Sequence, residues 1–470
     1  MRIGNLFPRL SPRELRPQPK LGRWQGEPPA LPTATTLHGL CWLAVFLALL
    51  LSLLQAEPET PAARPPAVVV ILTDDVGPEH YGFQGDARVP TPRIDSIARD
   101  GVRFAAGYSS APVCSPARAG LLTGRYATRF GHEFNGGGAE GTRDGFGLPK
   151  DERTLADHLR TLGYATCAVG KWHLGAGPEF AATARGFDEF YGTVANTTYV
   201  DPPFLIDSRV SPEAKACKEQ GYYTTSAFAT RARDWLRTVG ERPFFLFLSL
   251  NAAHVPLQAP PEYLERFAHL SDPREQLFAA VQAASDDAVG LVLDELKTLG
   301  RERDTLVFFL SDNGSAGPAR GLRGAKGSLA EGGVRVPFSL RWPERIPAGI
   351  TYSQPVVQLD VFATALAAAG GASERPIDGV DLLPFLTGAR EGAPHAELFW
   401  RYGDQWAVRA GDWKLVQWKG LAAPRLIDLA RDPREESDRL AAEPEVAQRL
   451  RARFEAWNAA QVAPRWSRRE

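Results

Sequence analysis

The chain has 470 residues, 44% hydrophobic and 23% charged, an ordinary globular mixture long enough for a large domain and a smaller one. Its formal net charge of −1 supplies no field that would recruit nucleic acid or an anionic membrane. An anionic ligand would have to meet a local basic cluster.

Residues 1–37 carry many Arg, Pro and Lys and show no apolar periodicity. Leu40 to Leu54 is a nearly continuous apolar run, shorter than the roughly 20 residues that a transmembrane helix needs. It reads as the core of a signal peptide with Leu54-Gln55-Ala56 as the cleavage site; an uncleaved signal anchor is the competing reading. The expectation is an exported protein, periplasmic or secreted, held at a membrane only if the leader is retained. Cys41 opens the apolar core rather than closing it, which does not fit a lipoprotein attachment site. Residues 1–56 are therefore assigned to an extension plus leader, and a Pro-rich spacer runs from Glu57 to Pro66.

Apolar runs then alternate with helical patterns. Ala67–Leu72, Tyr164–Val169, Pro243–Leu250 and Thr305–Leu310 are continuous apolar runs, as expected of strands covered on both faces. Helices are expected over Arg93–Asp100, Glu152–Thr161, Thr224–Thr238 and Glu275–Leu299. The alternation predicts an α/β fold: a mostly parallel central sheet sandwiched by helices. Past Asp381 the texture changes. Leu398–Arg401, Gln405–Arg409, Trp413–Val416 and Arg425–Asp428 read as short antiparallel strands, and Glu443–Gln461 as a closing helix. The expected division is a catalytic domain over 57–385 and an antiparallel subdomain over 386–470.

Cys114 opens Cys114-Ser115-Pro116-Ala117-Arg118. Pro116 has φ preset for a helix, and its missing N–H costs nothing in a first helical turn. A helix is expected to start at Cys114, where free N–H groups favour an anion, with Arg118 one turn along the same face. The plain alternative is a buried structural cysteine. Of the other cysteines, Cys167 falls in a strand-like run, so a buried thiol fits better than a bridge.

The residues just past each strand carry more information. Asp74 and Asp75 come after the first, Lys171 and His173 after the second, His254 after the third, and Asp312 with Asn313 after the fourth. Ligands of open α/β sheets bind beyond the carboxyl ends of the strands, so these groups share one rim. Asp74, Asp75, Asp312 and Asn313 offer only oxygen, which suits Ca²⁺ or Mg²⁺ rather than Zn²⁺. Taken singly, Asp-Asp can be a helix cap and Asp-Asn-Gly a turn. Asn196-Thr197-Thr198 and Asn313-Gly314-Ser315 both match a glycosylation acceptor, but a buried ligand could not be glycosylated. Gly321 to Ser328 is similar to a phosphate loop, yet Gly327 separates Lys326 from Ser328 and the pattern fails.

The string C-x-P-x-R-x-x-L-L-T-G-R from Cys114 to Arg125 resembles the signature of the sulfatase family. The resemblance extends through Val70–Gly77, Gly170–Gly175, Asn251–Pro256, Ser311–Gly314, Arg323–Ser328 and Glu331–Pro337. It implies the alkaline-phosphatase-like fold, one calcium ion per chain, and Cα-formylglycine formed from Cys114 by a formylglycine-generating enzyme. By that resemblance the metal sits on Asp74, Asp75, Asp312 and Asn313 and is reached by the modified Cys114. One hydroxyl of the aldehyde hydrate attacks sulfur. Arg118 and Lys171 hold the nucleophile, Lys326 and His254 bind sulfate and assist the leaving alcohol, and His173 takes a proton from the second hydroxyl. The implied activity is hydrolysis of aryl sulfates or sulfated saccharides. A phosphate or phosphonate ester hydrolase on the same scaffold is the alternative, and an inactive binding protein a lesser one, against which Cys114, Asp312 and His254 argue. Trp172 is expected in the core. Many relatives place a sulfate contact just after the Phe190-Tyr191-Gly192 turn; here the next residues are Thr193-Val194-Ala195-Asn196-Thr197, which departs from that pattern.

Overall fold

The structure, a computed structural model, describes residue 26 and residues 64–86, 88–136, 145–217, 220–316 and 320–467. The leader, its cleavage site and Cys41 lie outside the described residues. Among the described residues no helix is long and apolar enough to cross a membrane. From Arg64 onward the chain forms one compact unit.

In chain order the strands are β1 (Ala67–Thr73), β2 (Val102–Phe104), β3 (Gly107–Tyr108), β4 (Ala165–Lys171), β5 (Glu189–Thr193), β6 (Phe204–Asp207), β7 (Ser211–Ala216), β8 (Phe244–Ser249), β9 (Thr305–Ser311), β10 (Phe338–Arg341), β11 (Ile350–Tyr352), β12 (Val356–Val357), β13 (Leu398–Tyr402), β14 (Gln405–Ala410), β15 (Trp413–Gln417) and β16 (Arg425–Asp428). The helices are α1 (Pro92–Arg99), α2 (Cys114–Thr123), α3 (Leu155–Thr161), α4 (Thr224–Leu236), α5 (Pro261–Glu265), α6 (Pro273–Thr298), α7 (Glu331–Val334), α8 (Leu359–Ala368), α9 (Leu383–Leu386) and α10 (Pro444–Ala459).

A ten-stranded sheet has the order β11-β2-β10-β9-β1-β8-β4-β5-β6-β7. Its five central strands, β9 to β5 in that order, all run parallel. Every residue of β1, β4, β8 and β9 is buried, which explains why each reads as an unbroken apolar run. The strand period of two divides them between two cores. Val68, Val70, Leu72, Phe245, Phe247, Phe308 and Leu310 face one side, where α2, α3 and α8 supply Leu121, Leu155, Leu159 and Phe362. Val69, Ile71, Leu246, Leu248, Val307 and Phe309 face the other, where α1, α4 and α6 supply Ile94, Phe228, Trp235, Val289 and Leu296. This is the sandwiched sheet expected from the sequence. Trp172 is in the core at 1% exposure.

The sheet's margins differ from the expectation. Antiparallel β10 pairs with β9, and the β5-β6-β7 meander is antiparallel. Helix α3 starts three residues later than expected, because Thr154 caps it reciprocally with Asp157.

The C-terminal strands β13 to β16 form the antiparallel sheet expected for residues 386–470. One face, with Val408, Leu415 and Leu426, packs on Leu450 and Phe454 of α10. The other, with Trp400, Ala407, Val416 and Ile427, packs on Tyr108, Val113, Leu329 and Val334 of the α/β body. Cys114, Cys167 and Cys217 are all free thiols.

Candidate active site

The rim beyond the central strands brings the expected groups together. Asp74 and Asp75 leave β1, and Asp312 and Asn313 leave β9; all four are at most 2% exposed. Asp75 is left-handed at φ +63°, and His173 at +59°. Such backbone costs about 1–3 kcal/mol and clusters where side chains must be aimed against local preference. Cys114 is the first residue of α2, as expected, and fully buried. Its thiol lies 3.5 Å from Asp74 Oδ1 and 3.8 Å from Asp75 Oδ1.

The basic groups interlock with these carboxylates. Arg118 Nε donates to Asp312 Oδ2 at 2.9 Å, and its Nη1 donates to the Lys171 carbonyl at 2.8 Å. Lys171 Nζ pairs with Asp74 Oδ2. Lys326 Nζ donates to Asp75 Oδ2 at 2.8 Å, and His254 Nε2 lies 3.6 Å from the same oxygen. Burial drives the Asp74 carboxyl up, but Lys171, then His254, Arg118 and Lys326, overcome it and hold Asp74 well below the usual range. Burial, and then the Asp74 charge, push Asp312 up to about 7. Asp312 thus resists carrying its charge beside Asp74 unless more positive charge is supplied.

A divalent cation fits that imbalance. Ligand atoms of Asp74, Asp75, Cys114 and Asp312 all lie within 4.8 Å of one another. Asn313 Nδ2 donates to Asp75 Oδ1 and to the Gly314 carbonyl, which leaves Asn313 Oδ1 buried with no donor. A buried acceptor without a partner is costly unless a cation takes it. The carboxylate and amide oxygens suit a hard ion.

The two histidines differ. His173 is buried, and its Nδ1 has no partner. Burial, then the Lys171 and Arg118 charges, lower its pKa well below the ordinary value, so the ring is held neutral with Nδ1 unpartnered. His254 is partly exposed, and its Nδ1 meets the Val255 carbonyl at 2.6 Å, which fixes the tautomer with Nε2 toward Asp75. Burial lowers its pKa too, against the pull of Asp74.

Some supporting residues were missed by sequence reasoning. Ser115 Oγ donates to the His173 carbonyl at 2.6 Å and meets His132 Nε2 at 2.6 Å. Ser249 Oγ donates to the Lys171 carbonyl at 2.8 Å and accepts from Arg118 Nη1. Ser249 ends β8 at the same rim, a signal that was available; nothing marks His132. Asn313 is fully buried, as expected of a site that cannot be glycosylated, and Asn196 is exposed.

A cleft of about 760 Å³ runs along α4, lined among others by Tyr191, Arg209, Tyr222, Tyr223, Arg231 and Tyr263. Tyr223 stacks on Tyr199, whose hydroxyl donates to the carbonyl of His254 at 2.8 Å, so the cleft wall adjoins the rim.

Residues 66–372 match the family model Sulfatase, and residues 325–459 match the model N-sulphoglucosamine sulphohydrolase, C-terminal. The chain is 33% identical to N-acetylgalactosamine-6-sulfatase of Canis lupus familiaris, over 76% of this chain and 72% of that protein. It is 34% identical to Arylsulfatase A of Bos taurus, over 75% of each. Its fold is similar to that of the solved Ps i-CgsB in complex with k-i-k-neocarrahexaose, with TM-score 0.78 and 29% identity, covering 86% of this chain and 95% of that one.

Proposed function

The chain belongs to the sulfatase family, whose members are sulfuric ester hydrolases, and we propose that it works through Cα-formylglycine made from Cys114 beside one calcium ion on Asp74, Asp75, Asp312 and Asn313. The observation that carries this reading is the buried Cys114 thiol in contact with two carboxylates, beside the unpartnered Asn313 oxygen. Burial pushes that thiol's pKa up, so an unmodified sulfur stays protonated and is a poor nucleophile. An aldehyde hydrate at this position would supply one hydroxyl to attack sulfur and a second whose deprotonation would re-form the aldehyde and break its carbon–oxygen bond to sulfate. The calcium ion would ease the repulsion between Asp312 and Asp74 and draw electron density from the sulfate.

The remaining roles rest on placement. Arg118 and Lys171 bind Asp312 and Asp74 and keep their oxygens turned toward Cys114. Lys326 and His254 meet at Asp75 Oδ2, where Lys326, and His254 once Nε2 is protonated, can hold a sulfate oxygen and stabilise charge on the departing alcohol. His173 Nδ1 is the free base for the second hydroxyl. The substrate class is an aryl sulfate or a sulfated saccharide, and the cleft along α4 supports a substrate larger than sulfate alone. A formylglycine-generating enzyme and export to the periplasm or medium belong to the same proposal.

The test joins two measurements on secreted, metal-replete protein. Mass spectrometry of the tryptic peptide bearing Cys114 should show loss of the thiol and gain of a carbonyl. kcat/KM for 4-nitrophenyl sulfate should exceed that for 4-nitrophenyl phosphate. Full activity with only unmodified cysteine would sink the nucleophile, and a clear preference for phosphate would move the chain to the phosphate or phosphonate ester hydrolases.

A further inference from the structure

Lys326 carries its ammonium on a flexible four-carbon stem, so the turn beneath it decides where the charge sits. The Ser328 N–H closes that turn on the Ala325 carbonyl at 2.9 Å, and hydrogen bonds from three other stretches of chain hold it in place. The Lys326 N–H donates to the Ser315 carbonyl at 2.8 Å, on the loop just past Asp312 and Asn313. The next N–H, of Gly327, donates to the Pro112 carbonyl at 2.8 Å, two residues before Cys114. The Gly327 carbonyl accepts from Gln405 Nε2 at 2.9 Å. Gln405 begins β14 on the C-terminal sheet and is 1% exposed. Its Oε1 faces the Leu329 N–H at 3.4 Å. One buried amide thus holds the chain at two points just past Lys326.

A second anchor lies just beyond. Glu331 opens α7, and its two oxygens meet Lys414 Nζ at 2.8 Å and the Tyr108 hydroxyl at 2.6 Å. Lys414 also pairs with Glu435 at 3.0 Å, and Glu435 accepts the Glu331 N–H at 2.7 Å. Glu331, Lys414 and Glu435 are all fully buried. Three buried charges are weak evidence for stability, because desolvation offsets their attraction, but they fix one placement of the segment. Gln405 and Lys414 both come from the C-terminal sheet rather than from the α/β body.

We propose that Gln405 is a positioning residue for Lys326: the C-terminal sheet reaches into the active site through one amide and sets the reach of that ammonium. The inference rests on the role given to Lys326 above. Gln405 is the better probe than Lys414, because removing a neutral amide strands no buried charge.

A double-mutant cycle with Lys326→Ala tests it, using 4-nitrophenyl sulfate and a monosaccharide sulfate as good and poor leaving groups. Gln405→Ala should lower kcat/KM about tenfold on the saccharide sulfate, the effect of one lost hydrogen bond. Its pattern across the two substrates should copy that of Lys326→Ala at smaller amplitude, and the loss should vanish when Lys326 is already alanine. A loss that persists in full in the Lys326→Ala background, or a pattern unlike that of Lys326→Ala, would overturn the proposal. Gln405→Met keeps the buried volume and carries the cycle if the alanine variant does not fold. Should Lys326→Ala itself prove indifferent to the leaving group, the role of Lys326 fails, while the coupling is still read from the cycle.

Discussion

Asn313 commits its amide nitrogen to Asp75 and the Gly314 carbonyl, and its buried oxygen to nothing. If that oxygen is a calcium ligand, added calcium should raise the thermal midpoint of the wild-type protein. A ligand at a hundredfold its Kd adds about 2.7 kcal/mol. Asn313→Ala should lose most of that rise while unfolding cooperatively without metal. An equal rise in both proteins would remove Asn313 from the ion. The carboxylates make a second forecast, in EDTA. Asp312 titrates near 7 in the fold, because of burial and Asp74, against 3.8 in the unfolded chain. A raised carboxyl costs stability as pH climbs from the unfolded value through the folded one. Asp312→Asn should therefore gain stability relative to wild type between about pH 4 and about pH 7, while losing calcium binding. A flat difference across that window would contradict this reading.

Among the elements, the strands that carry the site were readable because each is buried along its whole length. Ala67–Leu72 and Leu306–Leu310 contain no polar interruption before the terminal Thr73 and Ser311. The rim residues were readable for the same reason, since each group sits where an apolar run stops. Strand β10 was not: it has four residues, starts straight after Pro337, and owes its pairing to β9 rather than to any pattern of its own. The supports of Lys326 were invisible for a different reason. Gln405 is 78 residues from its partner Gly327, and an isolated glutamine has no motif. Where two loops touch backbone to backbone, small residues decide the geometry. A Cβ on Gly333 would lie 2.0 Å from the Ser328 carbonyl oxygen and 2.5 Å from that of Ala325. Gly333→Ala must push the Lys326 turn aside, at about 1–3 kcal/mol of overpacking. The expected outcome is a lower midpoint in thermal unfolding and a loss of turnover resembling Lys326→Ala. Undiminished kcat/KM would show that the turn tolerates the shift.

Across the whole molecule, the α/β body and the C-terminal sheet share one hydrophobic cluster and several polar ties. His395, on the approach to β13, meets Asp360 Oδ1 at 2.8 Å. Asp360 also accepts the N–H groups of Val357 and Val380, so three stretches of chain meet at one carboxylate. Burial lowers the His395 pKa, but Asp360, with Asp378 behind it, raises it above the ordinary 6.5 overall. The stabilisation this pair adds is complete below that ordinary value and is lost as pH rises through the raised one. The midpoint difference between wild type and His395→Gln should shrink on passing from about pH 6 toward alkaline conditions. A difference that stays constant would assign His395 a packing role alone.

Every residue of α2 from Cys114 to Thr123 is buried, and Cys114 has no exposed surface. A second protein cannot grip a side chain in that position without unfolding the helix and the sheet it rests on. If Cys114 is converted as proposed, that chemistry belongs to the interval between synthesis and collapse. The converted fraction is set by a race, and a molecule that closes first is permanently locked out. Chains allowed to fold before they meet the maturation enzyme should stay thiols by mass spectrometry. Chains presented to it unfolded, or still emerging, should convert. Overproduction that outruns the modifying enzyme would then yield a mixture whose specific activity falls with expression rate, although every molecule in it has the same fold.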